Sequence, residues 1–190
     1  MALMTIHPTA ADIAIANYIA AHTNPPAEET AEAVTWGGDE HVLCALTITF
    51  WIWTRASEQR RRARRTADHV LLTTLVASAL PHLLKAAFDQ RRPDRLTVRG
   101  HWRGIPFSGR EMDAFPSGHA VHIGALASAA SELPPRQRNL VWLAGAGLVA
   151  TRIVLLAHWT TDVLAGLAIG ALAERALRRL TGYGRPSQGS

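Results

Sequence analysis

Five apolar stretches follow one another from residue 41 onward, and short polar or basic segments separate them. They run over residues 41–54, 69–84, 118–131, 140–157 and 163–177. Only the fourth approaches the roughly 18 to 20 residues that a membrane span needs. The others are 14 to 16 residues long. Taken singly, each stretch fits both a membrane bundle and the buried helix of a soluble bundle.

The region before the first stretch divides into two parts. Residues 9–22 are rich in alanine and isoleucine but contain Asp12 and Asn17. This pattern predicts a short helix at an interface and leaves open whether it crosses a membrane. Residues 24–40 carry Pro25-Pro26 and five acidic side chains, which predicts a loop or linker.

Composition excludes several classes of protein. Hydrophobic residues make up 48% of the 190 residues and charged residues 18%, which argues against a disordered or fibrous chain. A single cysteine, Cys44, rules out a disulfide framework and a zinc site built on several thiolates. The net charge of +5 comes almost entirely from arginine and is compatible with nucleic acid, an anionic membrane surface or a phosphorylated substrate.

The charges between the stretches favour the membrane alternative. In an up-and-down bundle, one side carries 12 basic residues and the other side carries eight, or five when Lys85, Arg92 and Arg152 are set aside as substrate-binding. Basic loops face the cytoplasm, so the second side is predicted to face outward. Residues 60–65 fit a loop that sets topology better than a nucleic-acid patch. The 12 basic residues are Arg55, Arg60, Arg61, Arg62, Arg64, Arg65, Arg136, Arg138, Arg175, Arg178, Arg179 and Arg185.

Small residues recur at a spacing that suits close helix packing. Gly166 and Gly170 form a G-x-x-x-G pair, and Gly124 and Ser128 have the same spacing. Such residues let the backbones of two helices approach each other, which is typical of helices in lipid. An alanine-rich composition also produces such pairs by chance.

The first cluster of chemically active side chains lies at the end of the second stretch. Lys85 and Arg92 are seven residues apart, about two helical turns, which predicts that they share one helix face. Pro93 favours a break directly after Arg92. Two cations are therefore predicted to point in the same direction from the end of a helix.

The second cluster is Pro116-Ser117-Gly118-His119, directly before the third stretch. Proline and serine at a helix start leave backbone N–H groups without partners. Because Gly118 has no side chain, an anion can approach these groups, and the helix dipole favours it. His119 would stand beside that anion in the first helical turn.

The third cluster joins Arg152, His158 and Asp162. His158 and Asp162 have i,i+4 spacing, so a hydrogen bond between them is predicted on one helix face. Such a bond fixes the imidazole tautomer and leaves the other nitrogen as a nucleophile. Arg152 and His158 would point about 120° apart on one unbroken helix, so we expect a break near Ala157.

With these three clusters in order, the sequence resembles the superfamily of type-2 phosphatidic acid phosphatases and vanadium haloperoxidases. That family's signature is K-x6-R-P, then P-S-G-H, then S-R-x5-H-x3-D. All three elements are present, with Thr151 in place of the family's serine, a change that keeps a hydroxyl group. The resemblance covers roughly residues 41–180 and does not cover the first 40.

The resemblance implies a role for each matched residue. His158 is expected to be the nucleophile that becomes a transient phosphohistidine, and Asp162 is expected to orient it. His119 is expected to protonate the leaving oxygen and then to activate water. The remaining residues are expected to hold the phosphate oxygens: Lys85, Arg92, Arg152, the Ser117 hydroxyl and the Gly118 N–H.

We expect this chemistry to need no metal and no cofactor. Three cations and the helix N–H groups can neutralise the phosphate oxygens, a task that other enzymes give to magnesium. The sequence contains no carboxylate cluster that suits a divalent ion. His122 follows His119 by three residues, but no third ligand lies nearby, so packing or support of the site is the expected role of His122.

These observations predict an all-α integral membrane bundle with five spans, or six if residues 9–22 cross. Its active site would face outward from a bacterial inner membrane. The expected substrate is a lipid phosphate or diphosphate, such as an isoprenyl diphosphate or phosphatidate. Expected partners are that substrate and membrane lipids, not nucleic acid. A vanadate-dependent haloperoxidase and a membrane lipid phosphotransferase are the alternatives.

The predicted organisation has three parts. Residues 1–40 form a short helix and a polar linker, residues 41–180 form the transmembrane catalytic domain, and residues 181–190 form a C-terminal tail. The long segment over residues 94–115 lies next to the predicted site. It is therefore the expected element to gate the site or select the head group of the substrate.

Overall fold

The computed structural model describes residues 3–57, 61–93 and 112–184. This part of the chain is all-α, as the sequence predicts. It also contains two single turns of 3-10 helix, Trp36–Gly38 and Ala130–Glu132. Two short parallel strands of two residues each pair with one another, β1 (Met4–Thr5) and β2 (Phe88–Asp89). The α-helices are α1 (Ala10–His22), α2 (Pro25–Thr35), α3 (Glu40–Ala56), α4 (Arg61–Ala87), α5 (Gly118–Ala129), α6 (Pro135–Val154) and α7 (Thr160–Thr181).

Each of the five apolar stretches forms a helix, in the order α3 to α7, and the helix predicted over residues 9–22 is α1. The start of α1 is a capping box in which Thr9 and Asp12 bond each other's backbone N–H groups at 3.1 and 3.0 Å. The buried Asp12 carboxylate also accepts the N–H and the hydroxyl of Thr161 at 3.0 and 2.9 Å. These bonds fix α1 against the start of α7.

The prediction of a loop or linker over residues 24–40 is wrong, because α2 occupies Pro25–Thr35 and packs against α6. Asn24 caps this helix, since its side-chain oxygen accepts the N–H of Ala27 at 3.0 Å. The two prolines occupy the first helical positions, where no backbone hydrogen bond is lost. The proline pair therefore begins a helix here.

The second apolar helix ends earlier than the sequence predicts. α4 stops at Ala87, so Lys85 and Arg92 do not share a helix face. The backbone after it pairs with the N-terminal segment instead: Leu3 donates to Ala87 and Ile6 donates to Asp89, both at 2.8 Å. This pairing joins segments far apart in the sequence, so a helical period cannot reveal it. At its other end, α4 includes residues 61–65, which the sequence analysis places in a loop.

Helices α5 and α7 pack closely against each other, and glycines line the contact. A Cβ atom at Gly124 would overlap the backbone of Leu167, and one at Gly170 would overlap the carbonyl of Val121. A Cβ atom at Gly166 would lie 2.7 Å from the carbonyl oxygen of Ser117. The close backbone approach predicted from these glycines is therefore confirmed.

Within the described residues, α4 is the one helix that is long and apolar enough to cross a membrane, with a mean hydropathy of 1.5 over its best 18-residue window. The number of spans therefore stays a prediction. Several helices, α4 among them, nevertheless expose large apolar side chains to their surroundings. Examples from α3, α4, α6 and α7 are Leu46, Ile52, Trp53, Leu75, Leu83, Leu140, Leu143, Leu164 and Leu172.

Candidate active site

The chain breaks between α6 and α7, as predicted near Ala157. α6 ends at Val154 and α7 begins at Thr160. Leu156 lies in the left-handed region with φ at 52°, which a leucine adopts only where its surroundings hold it there. The backbone N–H groups of Ala157 and His158 both donate to the carbonyl of Arg152, at 3.1 and 3.2 Å. The turn thus holds the arginine and the histidine in one compact unit.

The His158 ring is buried and held by a backbone carbonyl. Its Nδ1 lies 2.6 Å from the carbonyl oxygen of Ala114, so Nδ1 carries the proton and donates it. The lone pair then belongs to Nε2, the nitrogen that a nucleophilic imidazole uses. The ring therefore has the fixed tautomer predicted from the sequence, but the acceptor is the Ala114 carbonyl and not the Asp162 carboxylate.

Asp162 does not make the predicted hydrogen bond to His158. The carboxylate Oδ2 lies 4.0 Å from His158 Nδ1 and instead accepts the N–H of Trp159 at 2.8 Å. This bond caps the start of α7, where an acidic group is favourable. Oδ1 of Asp162 is buried and has no hydrogen-bond partner within the described ranges. The carboxylate therefore shapes the turn that carries His158.

Lys85 and Arg92 converge on one carboxylate, although they come from different elements. Arg92 donates from Nε to Oδ1 of Asp113 at 2.9 Å, and its Nη2 lies 2.8 Å from the same oxygen. Lys85 Nζ lies 3.5 Å from Oδ2 of Asp113. The prediction that these two cations point to one place is confirmed. The sequence analysis missed Asp113.

Ser117 and Arg152 bring unsatisfied polar atoms into the same region. Arg152 is 2% exposed and Ser117 is fully buried. The Ser117 hydroxyl and the Arg152 Nε have no hydrogen-bond partner in the part of the chain that the structure describes. Buried polar groups without partners are rare in folded proteins, and a phosphate oxygen would satisfy both. Gly118 begins α5 directly after Ser117, as predicted.

His119 stands in the first turn of α5, against the turn that follows α2. A Cβ atom on Gly38 would lie 3.0 Å from Cδ2 of the His119 ring. The ring also lies beside the backbone of Thr35 and within reach of the charge on Arg152. The segment predicted to be a linker therefore forms one wall of the site.

His122 supports the helices around the site. Its Nδ1 lies 3.1 Å from the carbonyl of Gly118, and its Nε2 lies 3.0 Å from the hydroxyl of Ser78 on α4. Over residues 3–57, 61–93 and 112–184, no group of three or more His, Cys, Asp or Glu side chains is placed to hold a metal ion. Residues 94–111, which contain most of the segment predicted to gate the site, lie outside the described residues.

Burial and three cations keep the His158 imidazole neutral. Burial lowers its pKa well below the ordinary histidine value, and the charges of Arg92, Arg152 and Lys85 lower it further. The pKa of Asp39, at the start of α3, is also lowered, which for a carboxylate favours the charged form. Burial opposes its ionisation, but hydrogen bonds from the N–H groups of His41 and Val42 outweigh that effect.

The structure thus brings together most of the residues that the sequence singles out. The charge of Arg152 reaches both His119 and His158, and the charges of Lys85 and Arg92 reach His158. The described helices therefore hold two imidazoles, three cations and a serine hydroxyl in one region of the bundle. The chain belongs to the PAP2 superfamily, whose family model matches residues 66–185.

Two curated relatives are similar in sequence. The lipid A 1-phosphatase of Rhizobium johnstonii is 32% identical over 157 residues, which are 77% of this chain and 64% of that protein. The lipid A 1-phosphatase of Rhizobium etli is 33% identical over 154 residues, which are 75% of this chain and 66% of that protein. The match therefore spans just under two thirds of the length of each relative.

Two solved structures share the fold. The crystal structure of Aquifex aeolicus LpxE has a TM-score of 0.68 and 18% identity, and the match covers 93% of this chain and 99% of that chain. The PAP2-type phosphatidylglycerolphosphate phosphatase from Bacillus subtilis has a TM-score of 0.64 and 18% identity, with 94% and 88% covered. At this identity the likeness concerns the fold of the bundle.

Proposed function

We propose that this protein is a membrane phosphatase that hydrolyses a lipid phosphomonoester through a phosphohistidine at His158. The observation that carries the proposal is the state of the His158 ring. Its Nδ1–H is held by the Ala114 carbonyl, and burial with three nearby cations favours the neutral imidazole. A neutral imidazole surrounded by cations is suited to attack the phosphorus of a bound anion.

In the first step, Nε2 of His158 forms a bond to phosphorus while the bond from phosphorus to the lipid oxygen breaks. His119 gives its proton to that leaving oxygen as a general acid. Arg92, Arg152 and Lys85 neutralise the charge on the phosphoryl oxygens. The products of this step are the free lipid alcohol and a phosphorylated His158.

In the second step, water attacks the phosphohistidine. His119, which is now neutral, takes a proton from the water as it attacks phosphorus, and the bond from phosphorus to Nε2 breaks. The electron pair of that bond returns to the imidazole. Inorganic phosphate leaves, and both histidines regain their starting protonation states.

The substrate class follows from the relatives and from the surface of the bundle. Both curated relatives are lipid A 1-phosphatases, so lipid A 1-phosphate is the first substrate to test. Exposed leucines on α3, α4, α6 and α7 support a bundle with several membrane spans, because lipid accepts large apolar side chains that water disfavours. The site would then meet a lipid head group at one membrane face.

Phosphate release by the purified protein in detergent with EDTA tests this function. The substrate panel is lipid A 1-phosphate, phosphatidylglycerophosphate, phosphatidate and an isoprenyl diphosphate. We expect His158→Ala to lower turnover at least about a thousandfold because it removes the nucleophile. We expect His119→Ala to lower it by about a hundredfold or more because it removes the acid and base.

His82→Ala is the matched control. His82 is an exposed histidine near the end of α4 that faces the site, and it pairs with Glu40 at 3.7 Å. Its turnover should equal that of the wild type. Brief incubation with labelled substrate should give an acid-labile, base-stable label on the wild type and none on His158→Ala. Turnover close to wild type in His158→Ala would refute the proposed mechanism.

A further inference from the structure

The turn that follows α2 contacts the site from outside the part of the chain that the family model matches. That match begins at residue 66, whereas Thr35 ends α2 and Gly38 ends the 3-10 turn that follows it. Thr35 is 2% exposed, although the segment around it is polar. The burial of Thr35 in a polar segment therefore suggests that its side chain has a specific contact.

Thr35 contacts two of the predicted catalytic and binding residues at once. Its Oγ1 accepts a hydrogen bond from Nη1 of Arg152 at 3.2 Å. Its backbone also lies beside the ring of His119. Arg152 makes its one side-chain hydrogen bond within the described residues to Thr35, while its buried Nε has no partner there.

The geometry of a guanidinium group makes this contact important. The group is planar, so fixing Nη1 limits the directions in which Nε and Nη2 can donate. An unanchored arginine side chain loses rotamer freedom each time it binds an anion. The Thr35 hydroxyl holds Arg152 before the phosphate arrives and leaves Nε to donate to it.

We infer that Thr35 is a positioning residue that orients Arg152 for the phosphate through its hydroxyl group. The inference rests on the proposed function, in which Arg152 binds the phosphoryl oxygens. It extends the site to α2, a helix that the sequence pattern did not predict. The backbone of Thr35 also lies beside His119, and a substitution of the Thr35 side chain leaves that backbone in place.

The Thr35→Val and Thr35→Ser variants separate orientation from packing. Valine keeps the shape of threonine and removes the hydroxyl, whereas serine keeps the hydroxyl. Thr47→Val is the matched control, because Thr47 is also buried and its hydroxyl donates only within its own helix, to the carbonyl of Cys44 at 3.0 Å. Tryptophan fluorescence on heating shows whether each variant is folded.

Binding of inorganic phosphate is measured by calorimetry on the purified protein, and KM and kcat are measured with the best lipid phosphate. We expect Thr35→Val to weaken phosphate binding and raise KM about tenfold, with a smaller change in kcat, as for the loss of a hydrogen bond to a charged group. Thr35→Ser should recover most of the affinity. Thr47→Val should bind phosphate like the wild type.

Two results would overturn the inference: wild-type phosphate affinity in a folded Thr35→Val protein, or an equal loss in Thr47→Val. A wild-type protein that binds no phosphate would overturn both the inference and the proposed function. A wild type that binds phosphate but releases none from any lipid would overturn the proposed function alone. The calorimetric comparison of the Thr35 variants would still decide the role of Thr35.

Discussion

At the scale of single residues, the sequence predicts which side chains meet but not which atoms bond. The spacing of His158 and Asp162 predicts a direct hydrogen bond, yet the imidazole donates to the carbonyl of Ala114. A backbone carbonyl has no sequence signal, because every residue carries one. Asp113 was missed for a related reason: the contact with Lys85 and Arg92 spans more than 20 residues of chain, and no local spacing rule reaches that far.

The lowered pKa of His158 leads to a prediction about the pH dependence of activity. In the proposed mechanism His158 attacks as a neutral imidazole, so activity falls as the pH drops through its pKa. Because that pKa lies well below the ordinary histidine value, we expect no loss of kcat/KM from His158 near pH 6.5, where an ordinary histidine titrates. The acid limb should instead follow the second ionisation of the substrate phosphate, which for a typical phosphomonoester lies near pH 6.

Two substrates separate these two ionisations. An aryl phosphate ionises at lower pH than an alkyl phosphate, and kcat/KM reports the free enzyme and the free substrate. The acid limb should therefore move to lower pH with the aryl phosphate. A limb near pH 6.5 that is the same for both substrates would assign an ordinary pKa to His158 and contradict the burial described for it.

At the scale of helices, the sequence predicts where the apolar helices lie and fails where contacts are non-local. The positions of α3 to α7 and the glycine contact between α5 and α7 follow from local pattern. The start of α2 at Pro25 also has a local signal, the Asn24 cap, but two prolines resemble a break. The end of α4 has no local signal, because the backbone there pairs with the N-terminal segment around Leu3, which is distant in the sequence.

The contact of Gly170 between α5 and α7 leads to a prediction about stability. A Cβ atom at Gly170 has no room against the Val121 carbonyl, so Gly170→Ala must separate α5 and α7. Overpacking of this kind costs about 1–3 kcal/mol. We expect Gly170→Ala to lower the thermal midpoint in detergent by several degrees and to lower activity, because the N-terminal ends of α5 and α7 carry His119 and Asp162.

Gly147 on α6 is the matched control. A Cβ atom there meets nothing within 4 Å, and alanine is the better helix former by about 1 kcal/mol. Gly147→Ala should therefore keep or raise the thermal midpoint. Equal midpoints for the two variants would show that the backbones of α5 and α7 are not in the contact described here.

At the scale of the whole molecule, the two ends of the bundle differ in charge and in chemistry. The site lies at the end where α4 and α6 finish and where α5 and α7 begin. Among the residues that the structure describes, the opposite end carries most of the arginines other than Arg92 and Arg152. It also carries a buried cluster in which Glu174 accepts hydrogen bonds from Ser128 and Arg178 and pairs with His69 at 3.0 Å. The described partners of Glu174 come from α4, α5 and α7, so the cluster joins these three helices.

This asymmetry predicts the orientation of the protein in a membrane. Arginine-rich ends stay in the cytoplasm, so the site should face outward, and α3 offers a test because its two ends are exposed. His41 lies at the site end, with 91% of its side chain exposed, and Ala56 lies at the arginine-rich end. In a Cys44→Ala background, an impermeant thiol reagent added to intact spheroplasts should label His41→Cys. Ala56→Cys should react only after the membrane is permeabilised, and the reverse pattern would place the site in the cytoplasm.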